Sequence, residues 1–191
     1  MERDVKRAVE LINIVHTQLQ TKCFLTSQKS LLLSLSAGQD SISMLLIIKQ
    51  LEIQWKSLSG IFLCNHLWQI DSFYTVLHTA KVSFLTGNPL SFVLASHSLK
   101  TEEMARRWRH NSLQRVALLY HYKTVVTGHT ASDRAETIIS NFIRGAGSRG
   151  LCSLTWNKFL ETCYPKQYYV SNFSETSFLH KSYFFRLSSN V

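Results

Sequence analysis

Short apolar runs alternate with helical patterns along most of this chain. The runs predict four strands, of which the third is the weakest: Leu31–Leu35, Gly60–Cys64, Ser91–Ala95 and Lys123–Thr127. Apolar residues at helical spacing predict helices at 3–20, 42–51, from about residue 71, 101–120 and 132–144. Parallel strands need a crossover connection between them, usually a helix. The alternation therefore predicts an α/β fold, an open and mostly parallel sheet with helices on both faces.

The length suits a single core. The chain has 191 residues, of which 45% are hydrophobic, and a chain of this size builds one core rather than two. The strand–helix pattern stops after Trp156, so we predict an α/β domain over 1–156 and an irregular C-terminal tail over 157–191. The longest apolar runs, such as Leu31–Leu33 and Met44–Ile48, are too short to cross a bilayer.

The positive charge lies mainly in the second half. The net charge is +9, with 13 basic and 6 acidic residues in 100–191 against 8 and 6 in 1–99. Such an excess indicates a polyanionic partner, the alternative being a merely solvated basic surface.

Cysteine usage and the N-terminus indicate the compartment. No two of the four cysteines have the C-x-x-C spacing of a redox or zinc site, so we expect reduced thiols in a reducing compartment. The N-terminus has mixed charge and leads into an amphipathic stretch, which is not the pattern of a secretory signal.

A loop of small and polar residues follows the first predicted strand. In open α/β sheets, ligands bind at the carboxyl ends of strands, where helix N-termini offer N–H groups. The serines would add donors there and the carboxylate could hold Mg²⁺ between phosphates, although a plain strand–helix turn is equally compatible. The candidate residues are Ser36, Ala37, Gly38, Gln39, Asp40 and Ser41.

A polar helix start follows the fourth strand. If the helix begins near His129, Asp133 and Glu136 share its face and make an acid/base or metal site. Thr130 with Asp133 also fits a capping box, and acidic residues in a first turn complement the helix dipole, so both interpretations stay open.

Arginines provide further candidates. Arg106 and Arg109 share one side of a helix and could clamp a phosphate or a developing charge, or belong to a solvated face. The G-x-G-x-x-G string at 145–150 follows a helix rather than a strand, so it predicts a helix C-cap and turn instead of a dinucleotide site. Arg144 and Arg149 beside it could contact phosphate.

Together these segments resemble the N-type ATP pyrophosphatase (PP-loop) family, and within it the lysidine synthetases. Ser36 to Ser41 match the family loop S-G-G-x-D-S, with alanine at the first glycine, and Asn65-His66 match a His-rich strand end. Glu102 to His110 match E-x-x-A-R-x-x-R-Y. His129 to Thr137 and Ile143 to Leu151 match H-H-x-x-D-x-x-E-T and L-R-G-x-G-x-x-G-L, the most specific evidence.

The resemblance implies a tRNA-modifying ligase that uses ATP and Mg²⁺. It would adenylate the wobble cytidine in the CAU anticodon of an isoleucine tRNA, and free L-lysine would then displace AMP to give lysidine. By this resemblance, the 36–41 loop binds ATP with Asp40 on the metal. Arg106, Arg109, His129, Asp133 and Glu136 are catalytic. Asn65, His66, Arg144 and Arg149 face the substrates and tRNA.

Departures from the family pattern qualify this interpretation. Ala37 would strain the loop at a positive φ, and Thr130 and His110 replace a histidine and a tyrosine. The short, drifted chain is most similar to a plastid-encoded member in the chloroplast stroma, with a compact bacterial enzyme of the cytoplasm as the alternative. The functional rivals are another PP-loop enzyme, such as a tRNA thiolase, and a non-catalytic tRNA-binding remnant. A homodimer is compatible with each.

Overall fold

The computed structural model describes residues 2–23, 30–67, 72–95, 101–147 and 182–187. The strands are β1 Ser30–Leu35, β2 Leu58–Asn65, β3 Leu90–Ala95, β4 Thr124–Thr127 and β5 Ser182–Leu187. The helices are α1 Glu2–Cys23, α2 Gln39–Trp55, α3 Ser72–Thr86, α4 Glu102–Leu119 and α5 Ala131–Ile143. Every predicted strand and helix is present. Helices α1 and α2 and the first three strands extend beyond their predicted bounds by one to four residues, whereas α4 and β4 are slightly shorter than predicted.

The strands form one sheet in the order β4-β1-β2-β3-β5. The first four are parallel, and β5 pairs antiparallel with β3. The predicted open, mostly parallel sheet is confirmed. The chain moves outward from β1 to β3 and then returns to place β4 on the other side of β1. This reversal makes a topological switch point between β1 and β4, where sheets of this type bind their ligands.

Alternate strand residues pack on opposite faces of the one sheet, where they form two clusters of buried side chains. Leu31, Leu33 and Leu35 of β1 join the first cluster with α2, and side chains of α1 and α3 pack against it. Leu32 faces the other way and packs with α4 in the second cluster, which includes Trp108. A strand buried on both faces needs a continuous apolar run, which explains the leucine-rich sequence of β1. Helices therefore cover both faces, as predicted.

The end of α5 carries the predicted cap. Gly145 adopts a φ of 70°, and its N–H donates to the carbonyl of Phe142 while the N–H of Ala146 donates to that of Asn141. These two bonds and the left-handed glycine define a Schellman cap, so the first glycine of the G-x-G-x-x-G string ends a helix. Among the helices that the structure describes, none combines the length and apolarity needed to cross a membrane.

The C-terminal tail differs from expectation at one place. Residues 157–191 were expected to be irregular, whereas Ser182–Leu187 forms strand β5 along β3, with Ser91 opposite Arg186. The run Tyr183-Phe184-Phe185 consists of aromatic residues that favour strands. Its lack of polar alternation concealed the strand in the sequence. The boundary between a 1–156 domain and a 157–191 tail stays a prediction.

Candidate functional site

Three loops that the sequence singled out leave the same edge of the sheet. Leu35 of β1 is paired with Leu63 of β2, and Ser34 is paired with Thr127 of β4. Because β1 lies between β2 and β4, the loops that follow these strands are neighbours. The carboxyl edge therefore brings together residues that are far apart in sequence.

The loop after β1 is braced by serine hydroxyls. The Ser41 hydroxyl donates to the carbonyl of Gly38 at 2.8 Å and accepts from the N–H of Ser36 at 3.3 Å. The Ser36 hydroxyl lies 3.3 Å from that of Ser41 and accepts from the N–H of Gly38 at 3.4 Å. The buried Ser41 hydroxyl thus closes the loop instead of pointing outward.

The start of α2 is open to an anion. Its N-cap is Gly38, which supplies no side-chain cap, and the first helical bond runs from the N–H of Ile42 to the Gly38 carbonyl. The preceding N–H groups, those of Gln39, Asp40 and Ser41, therefore have no carbonyl within the helix to bond. Such groups and the helix dipole favour a phosphate. The exposed Asp40 carboxylate lies in this same turn.

Ala37 has the strained conformation that the sequence analysis anticipated. Its φ is 59°, in the left-handed region where a Cβ is unfavourable. The loop therefore keeps a glycine-like backbone path without the glycine.

Gly128 joins the second loop to the first. A Cβ at Gly128 would lie 3.2 Å from the Cα and 3.4 Å from the nitrogen of Ser41, and 3.6 Å from the carbonyl carbon of Asp40. A Cβ at the shortest of these distances would be tighter than most van der Waals contacts and would push the two backbones apart by a few tenths of an ångström, so glycine suits this close approach. The segment that carries His129 is thereby held against the first turn of α2.

His129 lies two residues before helix α5. This helix begins at Ala131 with Thr130 as its N-cap, close to the predicted start at 132, so the condition under which His129 would share a helical face with Asp133 and Glu136 is not met. The capping residue shifts the helix start past the histidine. The exposed His129 ring is instead fixed by a 2.8 Å hydrogen bond between its Nδ1 and the Thr127 hydroxyl.

Asp133 completes the predicted capping box. Its carboxylate accepts from the N–H of Thr130 at 2.6 Å, and its own N–H donates to the Thr130 hydroxyl at 3.2 Å. The Thr130 N–H, then the Thr130 hydroxyl, and finally the nearby His129 charge hold the pKa of Asp133 below its usual value. Asp133 is therefore a fixed negative charge. Glu136, one turn further along α5, is exposed.

The two residues matched at the end of β2 face different helices. The Asn65 amide donates to the Ser72 carbonyl at 2.9 Å and its side-chain oxygen accepts from the N–H of Leu67 at 2.9 Å, which anchors the start of α3. The half-buried His66 ring contacts Trp108 of α4 edge-on, with ring centroids 5.2 Å apart. Asn65 thus has a structural role, whereas His66 borders the site.

The arginines of α4 divide between two sides of the helix. At about 100° per residue, Arg109 lies within about 60° of Ala105 and Val116, two buried residues of the core-facing stripe. Arg106 is about 60° away from Arg109 on the same side. Arg107 points outward and pairs with Glu103 at 2.6 Å.

The positive charge of Arg109 influences two titratable groups at the end of β2, His66 and Cys64. Burial, and after it the positive charge of Arg109, lower the pKa of His66. Burial raises the pKa of the neighbouring Cys64 thiol to about 12, although Arg109 opposes the shift. Arg109 therefore supplies a cation at the carboxyl edge, and Cys64 is protonated.

The remaining candidates are less informative. Arg144 is exposed at the end of α5, and Arg149 lies outside the described residues. Within the ranges that the structure describes, no three His, Cys, Asp or Glu side chains form a metal-binding group. A metal bound by one carboxylate and by phosphates, as Mg²⁺ often is, needs no such group.

Sequence reasoning missed three residues of this edge. Thr127 orients His129, Gly128 permits the contact between the loops, and Trp108 packs on His66. A glycine between a strand end and a helix cap was the available signal for Gly128.

Comparison with known proteins extends this picture. The PP-loop domain family matches residues 9–171. A chloroplastic tRNA(Ile)-lysidine synthase from Zygnema circumcarinatum is 35% identical over 154 residues, which cover 81% of this chain and 37% of the relative. The corresponding protein of Nephroselmis olivacea is 39% identical, covering 69% and 36%, and the tRNA(Ile)-lysidine synthase of Nostoc sp. is 35% identical, covering 75% and 42%.

A solved structure supports the fold. The U34-tRNA thiolase of Methanococcus maripaludis has a TM-score of 0.65 and 16% identity, covering 74% of this chain and 51% of that chain. At that identity the likeness concerns the fold alone. The chain spans about two fifths of the length of the curated relatives it matches. The family match covers most of the chain, and it includes the loop braced by Ser36 and Ser41. This chain therefore belongs to the PP-loop family of ATP-binding domains.

Proposed function

We propose that this chain is a tRNA-modifying ligase that joins lysine to the wobble cytidine of an isoleucine tRNA with a CAU anticodon, at the expense of ATP. The observation that carries the chemistry is the contact of Gly128 with the first turn of α2, because it joins a phosphate-binding loop to His129. The names of relatives at 35–39% identity support the choice of substrate.

The loop after β1 binds the phosphates of ATP in this proposal. The N–H groups of Gln39, Asp40 and Ser41 bond the phosphate oxygens at the helix N-terminus. An exposed carboxylate beside phosphates is the donor set that Mg²⁺ accepts, so Asp40 would hold it. When bound, Mg²⁺ neutralises phosphate charge and so favours departure of pyrophosphate.

The reaction has two displacements. The O2 oxygen of cytidine bonds to the α-phosphorus of ATP, and pyrophosphate leaves. The amine of lysine then bonds to C2, and AMP leaves with the electrons of the C2–O2 bond. Arg109, with Arg106 beside it, stabilises the negative charge that develops on the phosphoryl group.

Lysine must lose a proton before it attacks. His129 accepts that proton from the ammonium group, which frees the nitrogen electron pair, and later releases the proton to water. The fixed negative charge of Asp133 stabilises the resulting imidazolium, and Glu136 binds the lysine cation.

The tRNA would be bound through its backbone and its unpaired loop. Unstacked anticodon bases can enter a protein pocket, and the basic second half would bind phosphates in a salt-dependent way. His66, Arg144 and Arg149 belong to the tRNA-facing surface in this proposal, whereas Asn65 only positions α3. The chloroplastic and cyanobacterial relatives support a plastid stroma or a bacterial cytoplasm as the location. A homodimer stays a prediction, which light scattering tests.

One incubation tests the function. The chain is mixed with ATP, labelled lysine and total tRNA, and the modified tRNA is analysed by mass spectrometry. We expect lysine mass on one isoleucine tRNA and its loss in Asp40→Ala, with Glu10→Gln, an exposed α1 variant, as the unaffected control. An Asp40→Ala protein with the normal rate would refute the Mg²⁺ assignment.

The same experiment separates the rivals. Added sulfur would indicate a thiolase, a reaction that the half-buried and protonated thiol of Cys64 does not favour. Binding of tRNA without tRNA-dependent ATP–pyrophosphate exchange would indicate a non-catalytic remnant. The preserved loop bracing and the contact at Gly128 favour an active enzyme.

A further inference from the structure

The environment of His129 has a feature that the proposed reaction does not explain. Thr127, the last residue of β4, lies with its hydroxyl 2.8 Å from Nδ1 of the His129 ring. A histidine that works as a base uses one ring nitrogen, and the partner of the other nitrogen decides which one is available. The Thr127 hydroxyl is that partner.

The backbone on both sides of His129 is fixed. Pairing with Ser34 of β1 holds Thr127, and the close approach to α2 holds Gly128. On the other side, Thr130 is held by its reciprocal bonds with Asp133. The imidazole torsions are the main freedom left, and a hydrogen bond to Nδ1 restricts them.

Threonine suits this position better than serine. Its branched Cβ restricts χ1, so the hydroxyl keeps one direction. Valine has almost the same shape but no hydroxyl, which makes it a test of the hydrogen bond with little change in volume.

We infer that Thr127 is a positioning residue that binds Nδ1–H of His129 and leaves Nε2 as the nitrogen that accepts the proton of lysine. The proton balance is simple. Nε2 gains the proton that the ammonium group loses, while Nδ1–H stays hydrogen-bonded to the Thr127 oxygen. This inference rests on the proposed function and adds to it the tautomer of the base and the residue that selects it.

Three variants test the inference. Thr127→Val removes the hydroxyl, Thr127→Ser retains it, and Thr124→Val makes the same change at the opposite end of β4. For histidines that bind a metal, removing the hydrogen-bond partner of the other ring nitrogen typically costs about 10–100-fold, and we take the same range for His129. We expect a loss of this size in lysine transfer for Thr127→Val, a rate close to wild type for Thr127→Ser and no change for Thr124→Val.

Two readouts distinguish positioning from a structural role. The ¹⁵N shifts of the His129 imidazole report its tautomer, and we expect more of the Nε2–H form in Thr127→Val than in the wild type. In that variant lysine transfer should fall more than tRNA-dependent ATP–pyrophosphate exchange, which does not need the base.

The outcomes separate the inference from the function. Unchanged tautomer populations in Thr127→Val overturn the inference whatever the activity, and so does a changed tautomer with normal lysine transfer. Equal losses in Thr127→Val and Thr124→Val would also overturn it. A wild type without lysidine formation would refute the proposed function, while the ¹⁵N spectra would still test the contact between Thr127 and His129.

Discussion

Replacing Arg109 with glutamine tests whether this arginine, which lies on the side of α4 that faces the sheet, takes part in the reaction. Arg109 lies at the edge where it lowers the pKa of His66, whereas Arg107 is turned about 160° away and pairs with Glu103. The two arginines are two residues apart on one helix and have the same chemistry. Arg107→Gln is therefore a matched control for Arg109→Gln.

The expected effects differ by orders of magnitude. Loss of one group that stabilises charge in the transition state costs about 10²–10³-fold in kcat, or about 3–4 kcal/mol. The Arg107–Glu103 pair is exposed on both sides, 77% and 71%, and such helical pairs stabilise a protein by only about 0.3–0.5 kcal/mol. We therefore expect a severe loss of lysidine formation in Arg109→Gln and an almost normal rate in Arg107→Gln.

Two assays measure the contrast. Incorporation of labelled lysine into tRNA gives the rates, and an NMR titration gives the pKa of His66. Arg109→Gln should raise this pKa because a positive charge is removed, although burial keeps it below about 6.5. Similar activities of the two variants, or a His66 pKa that does not change in Arg109→Gln, would refute the assignment of Arg109 to the site.

The remaining predictions concern the two loops and the helix cap. Ala37→Gly removes the strain of a left-handed alanine, about 1–2 kcal/mol, but increases the entropy of the unfolded chain, which costs about 0.4–1 kcal/mol. Thermal unfolding should therefore show a net stabilisation of about 0.8 kcal/mol, and a lower melting temperature would contradict it. Gly128→Ala should slow lysidine formation at least about tenfold, because its Cβ would meet backbone atoms, and Gly147→Ala, with open space around its Cβ, should not. The stability that Asp133 contributes is present above its unfolded pKa of about 3.9 and is lost as pH falls through its lower folded pKa. Urea unfolding should therefore show Asp133→Asn less stable than the wild type at pH 6, with the difference shrinking near pH 3; an equal difference at both pH values would contradict the role of the Thr130 hydrogen bonds.

The fold could be predicted where local sequence and burial agree. The leucines of β1 are buried on both faces, and a run of this kind has few alternatives to a central parallel strand. The left-handed Gly145 and the box of Thr130 with Asp133 follow from local chemistry, so their caps were also predictable. Strand β5 was missed because its partner, β3, is distant in sequence and its own pattern does not alternate.

The site was less predictable because its geometry depends on neighbours from other elements. The loop of residues 36–41 is local, and the sequence indicated both its position and the strain at Ala37. The predicted helix start near residue 132 agrees with α5, but the hydrogen bond that His129 makes to Thr127, in front of the Thr130 cap, was not predicted. Nothing local distinguishes Arg109 from Arg107, since the choice depends on which side of α4 faces the sheet.

Side chains along β2 point alternately to the two faces of the sheet, and this places His66 and Asn65 on opposite sides of the carboxyl edge. Phe62 and Cys64 face the second core cluster beneath α4, and the next residue on that side, His66, meets Trp108. Asn65 points to the opposite side, where its amide donates a hydrogen bond to the first residue of α3. Arg109 belongs to α4 and therefore lies on the same face as His66. The groups proposed to act on a substrate at this end of β2 are thus on one face of the sheet. Shifting the register of β2 by one residue would exchange Asn65 and His66, and it would remove the histidine from the reach of Arg109 even though every motif residue was still present.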